Sequence, residues 1–380
     1  MAGPLSGIRV LEFEAIGPGP FAGMLLADMG ADVLVVDRPE TPGLGLKRER
    51  WYDVMLRGKR SVTLDMKSPR GAEAALALIA RADALIEGFR PGVMERLGVG
   101  PEQAFKQNEK LVYGRMTGWG QEGPLAPRAG HDINYIALSG ILNAIGRRGE
   151  PPVPPLNLIG DFGGGGMLLG FGVVCALLEA SRSGRGQVID AAMVDGAALL
   201  AAMFAGFLAA GGWSEERGAN TLDSGAPWYD VYQTADGKYV AIGAIEDKFF
   251  AELCQRLQLS DLPAQHDRAR WPEMRGRFAE AFKRKTRDEW CRAFEGSDAC
   301  FAPVLSWSEA RTHEHSRART AYAELAKVPQ PAPAPRFSRT APTLRRAPPE
   351  RGEGGREALR EWGFGEGEIA KLRTLGIGFL

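Results

Sequence analysis

Apolar and polar positions in the first third of the chain alternate between the strand period and the helix period. Short apolar runs with the length and composition of strands occur at residues 8–13, 31–36, 60–64, 84–87 and 111–116. Helical patterns separate several of these runs, for example at residues 71–80. Because the second run is almost continuously apolar, we expect a parallel sheet that is buried on both faces. Strands that alternate with helices predict an α/β, Rossmann-like doubly wound domain.

The pattern changes in the remainder of the chain. A hairpin predicted around the turn at 235–237 opens a region of shorter helical segments, which indicates a smaller α+β domain. A proline-rich stretch after residue 328 reads as an extended linker. We therefore expect a large α/β domain at 1–190, a linker helix at 191–227, a small α+β domain at 228–327, and a linker with a C-terminal segment that returns to the large domain at 328–380.

The charge of the chain is balanced, with 47 Lys and Arg residues against 47 Asp and Glu residues. No overall field attracts nucleic acid or an anionic membrane, so neither is an expected partner. Residues 196–213 carry no charge and approach the length of a membrane span. They are mostly alanine and glycine and lack flanking Lys/Arg clusters, which favours a buried helix or one packed in a subunit interface.

The cysteines and the N-terminus indicate a cytoplasmic protein. The four cysteines show no CxxC spacing, so neither a disulfide framework nor a zinc or other metal site is expected. A reducing compartment suits such cysteines. The first residues lack the basic start and long apolar core of a signal peptide.

One motif imitates a dinucleotide-binding loop. Gly17–Gly23 follows the first predicted strand, and Asp37 ends the second, as in the Rossmann fingerprint. However, Pro18 and Pro20 lack the N–H groups that a pyrophosphate would need. Pro20 instead suits the start of a helix. The sequence therefore argues against a nicotinamide or flavin site.

The candidate chemistry lies in two later stretches. His131 follows Gly130, and Asp161 precedes a run of four glycines at 163–166. An imidazole and a carboxyl on opposite sides of one carbon can remove a proton from one face and return it to the other, which inverts a stereocentre beside a carbonyl. The alternative is a structural histidine and an N-cap aspartate, and spacing alone favours that simpler interpretation.

Several separated stretches, in the same order, resemble the family III CoA-transferase superfamily. They are LSGIRVLEF near the start, ADALIEGFRPGVMERLGVG at 82–100, GRMTGWGQEGP at 114–124 and GRGQVIDAAMVDG at 184–196. Three further stretches are similar to its α-methylacyl-CoA racemase branch: GHDINYIALSG at 130–140, PPLNLIGDFGGGG at 154–166 and YVAIGAIE at 239–246. The resemblance covers nearly the whole chain.

The resemblance implies a large CoA-binding domain and a small domain, in a homodimer whose interlocked subunits enclose the active sites between them. It implies that His131 and Asp161 exchange protons with an acyl-CoA thioester of lipid metabolism through an enolate. Glu246 would orient His131 or share its proton. The backbone N–H of Asp132 would stabilise the enolate oxygen, so the Asp132 side chain is expected to tolerate change better than His131. No cofactor is expected, because CoA is part of the substrate.

The phosphates and adenine of CoA require cationic partners. Arg38 ends the second predicted strand, where α/β sheets place ligands, and Arg90 can clamp a phosphate or stack on adenine. Lys59 and Arg60 are expected to give looser electrostatic help. Each of these residues is alternatively a solvated surface cation, and for Lys59 that alternative is favoured.

Other interpretations remain open. Asn157 and Tyr135 are candidates for hydrogen bonds that support the site, or for bonds to local backbone groups. A CoA-transferase that moves CoA between carboxylic acids would use Asp161 as its nucleophile and make His131 incidental; the transferases of the family lack this histidine. A catalytically silent CoA-binding protein is the third possibility.

Overall fold

The computed structural model describes residues 3–43 and 45–380, and these residues form two units. The first unit contains the described residues of 1–139, 156–200 and 318–380, and the second contains 140–155 and 201–317. The predicted boundaries are wrong in three places. Residues 140–155 belong to the second unit, the predicted linker helix divides after residue 200, and the return to the first unit begins at residue 318 rather than 328.

The strands follow in chain order. They are β1 (Arg9–Phe13), β2 (Asp32–Asp37), β3 (Arg60–Thr63), β4 (Ala84–Glu87), β5 (Val112–Thr117), β6 (Gln187–Ala192), β7 (Tyr229–Gln233), β8 (Tyr239–Gly243), β9 (Phe301–Pro303), β10 (Tyr322–Leu325) and β11 (Val328–Pro331).

The α-helices of the described residues are short, apart from α7. They are α1 (Pro18–Asp28), α2 (Gly71–Ile79), α3 (Val93–Arg96), α4 (Pro101–Gln107), α5 (Asp132–Leu138), α6 (Ile141–Ala144), α7 (Leu168–Ser183), α8 (Met193–Leu200), α9 (Ala202–Ala209), α10 (Asp247–Leu257), α11 (Trp271–Phe282), α12 (Arg287–Ala293), α13 (Trp307–Thr312), α14 (Glu314–Ala318), α15 (Gly355–Glu361) and α16 (Glu366–Thr374). A π-helix at Leu158–Met167 leads directly into α7, and 3-10 turns occur at Arg50–Tyr52, Val54–Leu56 and Arg268–Arg270.

The described part of the first unit contains a six-stranded parallel sheet in the order β3-β2-β1-β4-β5-β6. The predicted α/β doubly wound sheet is therefore confirmed. The chain builds outward from β1 to β3 and then reverses through β4 to β6. Such a reversal leaves a crevice at the carboxyl ends of the two central strands, here β1 and β4, and α/β proteins bind ligands in that crevice.

Strands β1 to β5 are buried on both faces, which explains their largely apolar sequences, whereas the edge strand β6 is partly exposed. On one face Leu11 and Leu34 pack with Leu78 of α2 and with Leu359 and Trp362 of the C-terminal segment. The other face packs against α1 and α7. The C-terminal segment is thus part of the first unit's core, as the amphipathic pattern after residue 355 predicts.

The second unit has its own hydrophobic core. Its strands form an antiparallel sheet in the order β7-β8-β9, and β7 and β8 are the hairpin predicted around residues 235–237. Helices α10, α11 and α12 contribute Leu253, Phe278 and Trp290 to a core that also contains Trp228 and Tyr232. The second unit therefore has the predicted α+β composition.

Candidate active site

His131 lies at the N-terminus of α5, as its N-cap residue. Its backbone is extended, with φ −133° and ψ 171°, and its N–H donates to Oδ1 of Asn134 at 3.0 Å. This bond closes one half of a capping box and fixes the start of the helix. The imidazole is exposed, so it is free to contact a ligand. A helix start also leaves the first backbone N–H groups, including that of Asp132, without intrahelical acceptors.

Asp161 lies in the π-helix, where its carboxyl is held by short contacts. Nδ2 of Asn157 donates to its Oδ2 at 2.9 Å. A Cβ atom placed on Gly17, which follows β1 with φ +68°, would lie 3.2 Å from the same oxygen. Gly17 therefore does not cradle a phosphate; it leaves room for the Asp161 carboxyl at the crevice beside β1. The π-helix, a rare form that is frequent at functional sites, suits this position.

The glycines after Asp161 let the π-helix lie close to its neighbours. A Cβ atom on Gly164 would be 2.5 Å from the backbone nitrogen of Ala197 in α8, and one on Gly166 would be 2.7 Å from the carbonyl oxygen of Pro18 in α1. By length and composition alone, the continuous helix Leu158–Ser183 could span a membrane. Its glycine-rich start packs against the backbone of two helices of the same unit.

Burial dominates the electrostatics of Asp161. It raises the pKa of the carboxyl above its ordinary value, the Asn157 hydrogen bond opposes this rise, and the Asp132 charge adds to it. A protonated His131 imidazole would lower the pKa of Asp161, so the two groups lie within electrostatic range of each other. Asp132, the residue after His131, accepts the Asp161 backbone N–H at 2.7 Å, so the segments that carry His131 and Asp161 are in contact.

Tyr135 also belongs to this site. It is buried, and its ring meets that of Trp119 edge to face at 4.7 Å between centroids. Burial, together with the charge of Asp161, raises the pKa of its hydroxyl to about 12, while Arg90 opposes the rise. Gly118 leaves the space that the ring occupies. Tyr135 is thus a packed neutral phenol close to Asp161 and Arg90, with no hydrogen bond from its hydroxyl to another described residue.

The Asp132 side chain is not the tolerant position that the sequence predicts. It is only 6% exposed, and its Oδ1 accepts the backbone N–H of Asp161 at 2.7 Å. A Cβ atom on Gly160 would lie 2.5 Å from that oxygen, so glycine is needed beside it. These contacts argue against the expected tolerance of Asp132, because its carboxylate fixes the backbone from which the Asp161 side chain projects.

We predict that Asp132→Asn and Asp132→Ala affect the site differently. Asparagine keeps an acceptor for the Asp161 N–H but removes a negative charge that raises the pKa of Asp161. That pKa should fall. When Asp161 acts as the proton donor, the rate of inversion should therefore start to fall at a lower pH than in the wild type. Alanine also leaves the Asp161 N–H without its acceptor, which should lower the free energy of unfolding by about 1–3 kcal/mol. Parallel pH–rate profiles and urea unfolding test this; wild-type kcat in Asp132→Ala would contradict it.

The four cations predicted to bind CoA differ in whether a carboxylate pairs with them. The guanidinium of Arg38, after β2, lies over the ring of Phe89 at 5.9 Å from its centroid. Arg90 follows β4 and is exposed. Within residues 3–43 and 45–380, no carboxylate pairs with either guanidinium. Both therefore remain available to a phosphate at the carboxyl edge of β1, β2 and β4.

Lys59 and Arg60 are not surface cations, and their expected role in binding CoA is wrong. Lys59 is fully buried, and its ammonium donates to both oxygens of Glu12 at 2.6 and 2.8 Å and to the Pro20 carbonyl at 2.9 Å. Arg60 is 3% exposed and pairs with Asp32 and with Glu361. Buried cations paired in this way serve the fold, because breaking the pair would leave an uncompensated charge.

Asp37 is likewise engaged. It is buried, and Arg50 donates to both of its carboxylate oxygens, at 3.1 and 2.5 Å. Ser61 donates to it as well. A dinucleotide site would require this carboxylate for a ribose, so the structure agrees with the rejection of the Rossmann fingerprint.

Glu246 lies in the second unit, as the N-cap residue of α10, and is exposed. The preceding backbone is fixed by Gln265, a buried residue whose amide donates to the carbonyls of Ala244 and Ile245 at 3.1 and 2.8 Å. Sequence reasoning missed Gln265, since a single glutamine in a loop carries no recognisable signal. The pairing of Glu246 with His131, in the first unit, stays a prediction.

Comparison with known proteins gives related chains along the whole length. The chain is 48% identical over 375 residues to the alpha-methylacyl-CoA racemase of Mus musculus, covering 97% of this chain and 96% of that protein. It is 45% identical over 377 residues to the protein of the same name from Homo sapiens, with the same coverage. A crystal structure of a CAIB/BAIF family protein from Brucella suis superposes with a TM-score of 0.81 at 26% identity, covering 95% of this chain and 100% of that one.

A family model described as CoA-transferase family III matches residues 5–354, which include both central strands, His131, Asp161 and Glu246. These matches span both units, so they apply to the site and to the scaffold that carries it. The chain belongs to CoA-transferase family III.

Proposed function

We propose that this chain is an isomerase that inverts the α-carbon of 2-methylacyl-CoA thioesters. The observation that supports the proposal is the contact between the segments that carry His131 and Asp161, through the Asp161 N–H and the Asp132 carboxylate, with the Asp161 carboxyl partly buried beside Gly17. The two racemases that share 45–48% of its residues support the same activity. Inversion requires one group that accepts a proton and another that donates one to the opposite face.

The proposed mechanism is a 1,1-proton transfer through an enolate. Neutral His131 takes the α-proton of one enantiomer, and protonated Asp161 returns a proton to the other face; the reverse reaction exchanges the roles. Burial favours the protonated form of Asp161, which suits its role as an acid. The pair must share one proton at rest, so its titration belongs to both groups together.

The enolate oxygen needs a donor where its charge develops. The backbone N–H of Asp132, at the start of α5, has the appropriate chemistry because the first N–H groups of a helix point outward without partners. Asn157 holds the Asp161 carboxyl through its amide. Glu246 is proposed to orient His131 and raise its basicity. The chemistry requires no group beyond the CoA that the substrate carries.

The CoA portion is proposed to bind along the carboxyl edge of the sheet. Arg38 and Arg90 have no carboxylate partner in the described part of the chain, and guanidinium groups bind phosphates through paired hydrogen bonds. Phe89, beneath Arg38, adds an aromatic surface between them. This arrangement leaves the thioester end toward Asp161.

A CoA-transferase is the second candidate, and the family's description favours it. In that reaction the Asp161 carboxylate attacks a thioester, and His131 has no role. The relatives at 45–48% identity over 97% of the chain are named racemases, whereas the transferases that match it are less similar. The racemase is therefore the better supported function.

The two functions are separated by incubation with a single 2-methylacyl-CoA enantiomer in deuterated water. The racemase incorporates deuterium at the α-carbon and yields both enantiomers without any acceptor acid. Movement of CoA to an added carboxylic acid, with no α-exchange, would establish the transferase instead. Binding of the substrate with neither reaction would overturn both and leave a CoA-binding protein.

We also propose that the protein is a homodimer of interlocked subunits. On α7, Phe171, Val174 and Leu178 form an apolar stripe, and Phe171 and Leu178 are 68% and 53% exposed. Monomeric soluble proteins rarely expose a large contiguous apolar patch, and a second copy would bury this one. Light scattering should give twice the chain mass of 41.0 kDa; a monomer at micromolar concentration would refute the proposal.

A further inference from the structure

The backbone of Arg38 is held at both of its polar groups. Its N–H donates to Oε2 of Glu14, which follows β1, at 2.8 Å. Its carbonyl oxygen accepts Nη1 of Arg351, from the C-terminal segment, at 2.6 Å. A loop residue just beyond a strand rarely has both backbone groups bonded by side chains from elsewhere in the chain. The peptide groups on either side of the Arg38 Cα atom are therefore fixed.

Arg351 and Glu14 also hold each other. Nη2 of Arg351 donates to Oε1 of Glu14 at 2.6 Å, and Nη1 contacts Oε2 at 3.2 Å. The two side chains are 18% and 14% exposed, so water weakens the pair little. A guanidinium and a carboxylate that meet through two bonds have a fixed mutual orientation. Lysine, with a single charged point, cannot reproduce it.

The segment that carries Arg351 is itself fixed to the sheet. The N–H of Gly352 donates to the Ser61 hydroxyl at 2.8 Å, and Nε of Arg50 donates to the Pro349 carbonyl at 2.5 Å. Arg50 in turn donates hydrogen bonds to both carboxylate oxygens of Asp37 at the end of β2. Arg351 is thus a rigid support rather than a mobile surface arginine.

Arg50 and Arg351 are both paired with carboxylates, whereas among the described residues the guanidinium of Arg38 has the face of Phe89 and no carboxylate partner. The supported residue is therefore the cation that is free for an anion. A long flexible side chain binds phosphate more tightly when its backbone and first torsions are already fixed, because less freedom is lost on binding.

We propose that Arg351 is a positioning residue for the nucleotide end of CoA: together with Glu14 it fixes the backbone of Arg38, so that the Arg38 guanidinium is directed toward the phosphates. The inference rests on the proposed function, in that Arg38 binds CoA phosphate. It adds a role for the C-terminal segment, which supplies affinity for the nucleotide without touching it.

The test compares Arg351→Lys with Arg57→Lys, using acyl-CoA and the corresponding acyl-pantetheine thioester, which has no nucleotide. Arg57 is a matched control, since it also binds one carboxylate through two bonds (Asp28, at 3.1 and 2.6 Å) and one C-terminal carbonyl (Pro331, at 2.8 Å). It has no hydrogen bond to Glu14 or Arg38 among the described residues.

Arg351→Lys should raise KM for acyl-CoA about tenfold, the effect of a lost charge-assisted bond, with kcat within about twofold. Its kcat/KM for acyl-pantetheine should not change, and Arg57→Lys should leave both substrates unaffected.

A double variant identifies the route of the effect. Arg38→Gln should raise KM for acyl-CoA by a similar factor and leave acyl-pantetheine unaffected. The KM of Arg38→Gln/Arg351→Lys for acyl-CoA should be no higher than that of Arg38→Gln, because both changes remove the same interaction. Thermal melting of each variant, with Arg351→Gln as a second substitution, shows that the protein is folded. Equal losses for both substrates, or additive losses in the double variant, would overturn the inference while leaving the proposed function intact. If Arg38→Gln binds acyl-CoA as the wild type does, the proposed CoA site itself is wrong.

Discussion

His131→Gln is expected to abolish stereoinversion, with kcat reduced at least about 10³-fold, near the upper range for loss of a general acid–base group. Glutamine preserves polarity and approximate size but cannot accept and release a proton at neutral pH. Asp161 remains, so exchange in deuterated water should persist for the one enantiomer whose α-hydrogen faces the carboxyl. The other enantiomer should show none. Chiral separation of the products with mass analysis of each enantiomer measures both effects.

The control for this variant is His315→Gln, which removes an exposed imidazole of α14. It should leave inversion and exchange unchanged. The assignment of His131 would be disproved if His131→Gln inverted either enantiomer at a rate within tenfold of the wild type. Equal residual exchange from both enantiomers would also contradict a two-base mechanism.

Gly196→Ala should severely destabilise the first unit. A Cβ atom at this position would lie 1.8 Å from the carbonyl oxygen of Gly164 and 2.6 Å from its carbonyl carbon. Both are backbone atoms, so α8 must move away from the π-helix that carries Asp161. We expect a loss of about 3 kcal/mol or more in the free energy of unfolding, the upper range for overpacking. Chemical denaturation measures the loss, and kcat should fall in the fraction that stays folded.

Gly170→Ala is the matched substitution on the adjoining α7. Nothing outside its own helix lies within 4 Å of the added Cβ, and its φ is not positive. Alanine there should stabilise the protein by about 0.4–1 kcal/mol, because it restricts the unfolded chain. If Gly196→Ala and Gly170→Ala unfolded at the same denaturant concentration, the close packing of α8 on the π-helix would be disproved.

Local pattern was sufficient to predict the sheet. Strands β1, β2, β4 and β5 are short, mostly apolar runs, and burial on both faces makes such runs visible without knowledge of their neighbours. His131 and Asp161 were identified as candidates because imidazole and carboxyl groups near glycines are unusual in a chain with four histidines. The structure adds a contact between their two segments, since the Asp161 N–H donates to the carboxylate of Asp132, the residue after His131.

Long-range pairing explains what the sequence did not show. Lys59 lies in the polar stretch Arg57–Arg60, which reads as a surface turn. Its burial depends on Glu12, 47 residues earlier, and on Gly23, where any Cβ would overlap that carboxylate. Arg351 likewise lies in a proline- and charge-rich stretch that is typical of a linker, so its contacts with Glu14 and Arg38 could not be predicted. Neither partner is recognisable until the fold brings them together.

Arg351, which holds the Arg38 backbone, is synthesised after all six strands of the parallel sheet. The ribosome completes every strand of the parallel sheet before it adds the residues that cover β3, where Thr63 bonds Gly378 and Ser61 bonds Glu353. Until then β3 is an open edge, the part of a sheet most prone to pair with another chain. A nascent chain would therefore contain His131 and Asp161 before it contains Arg351, the residue that holds the Arg38 backbone.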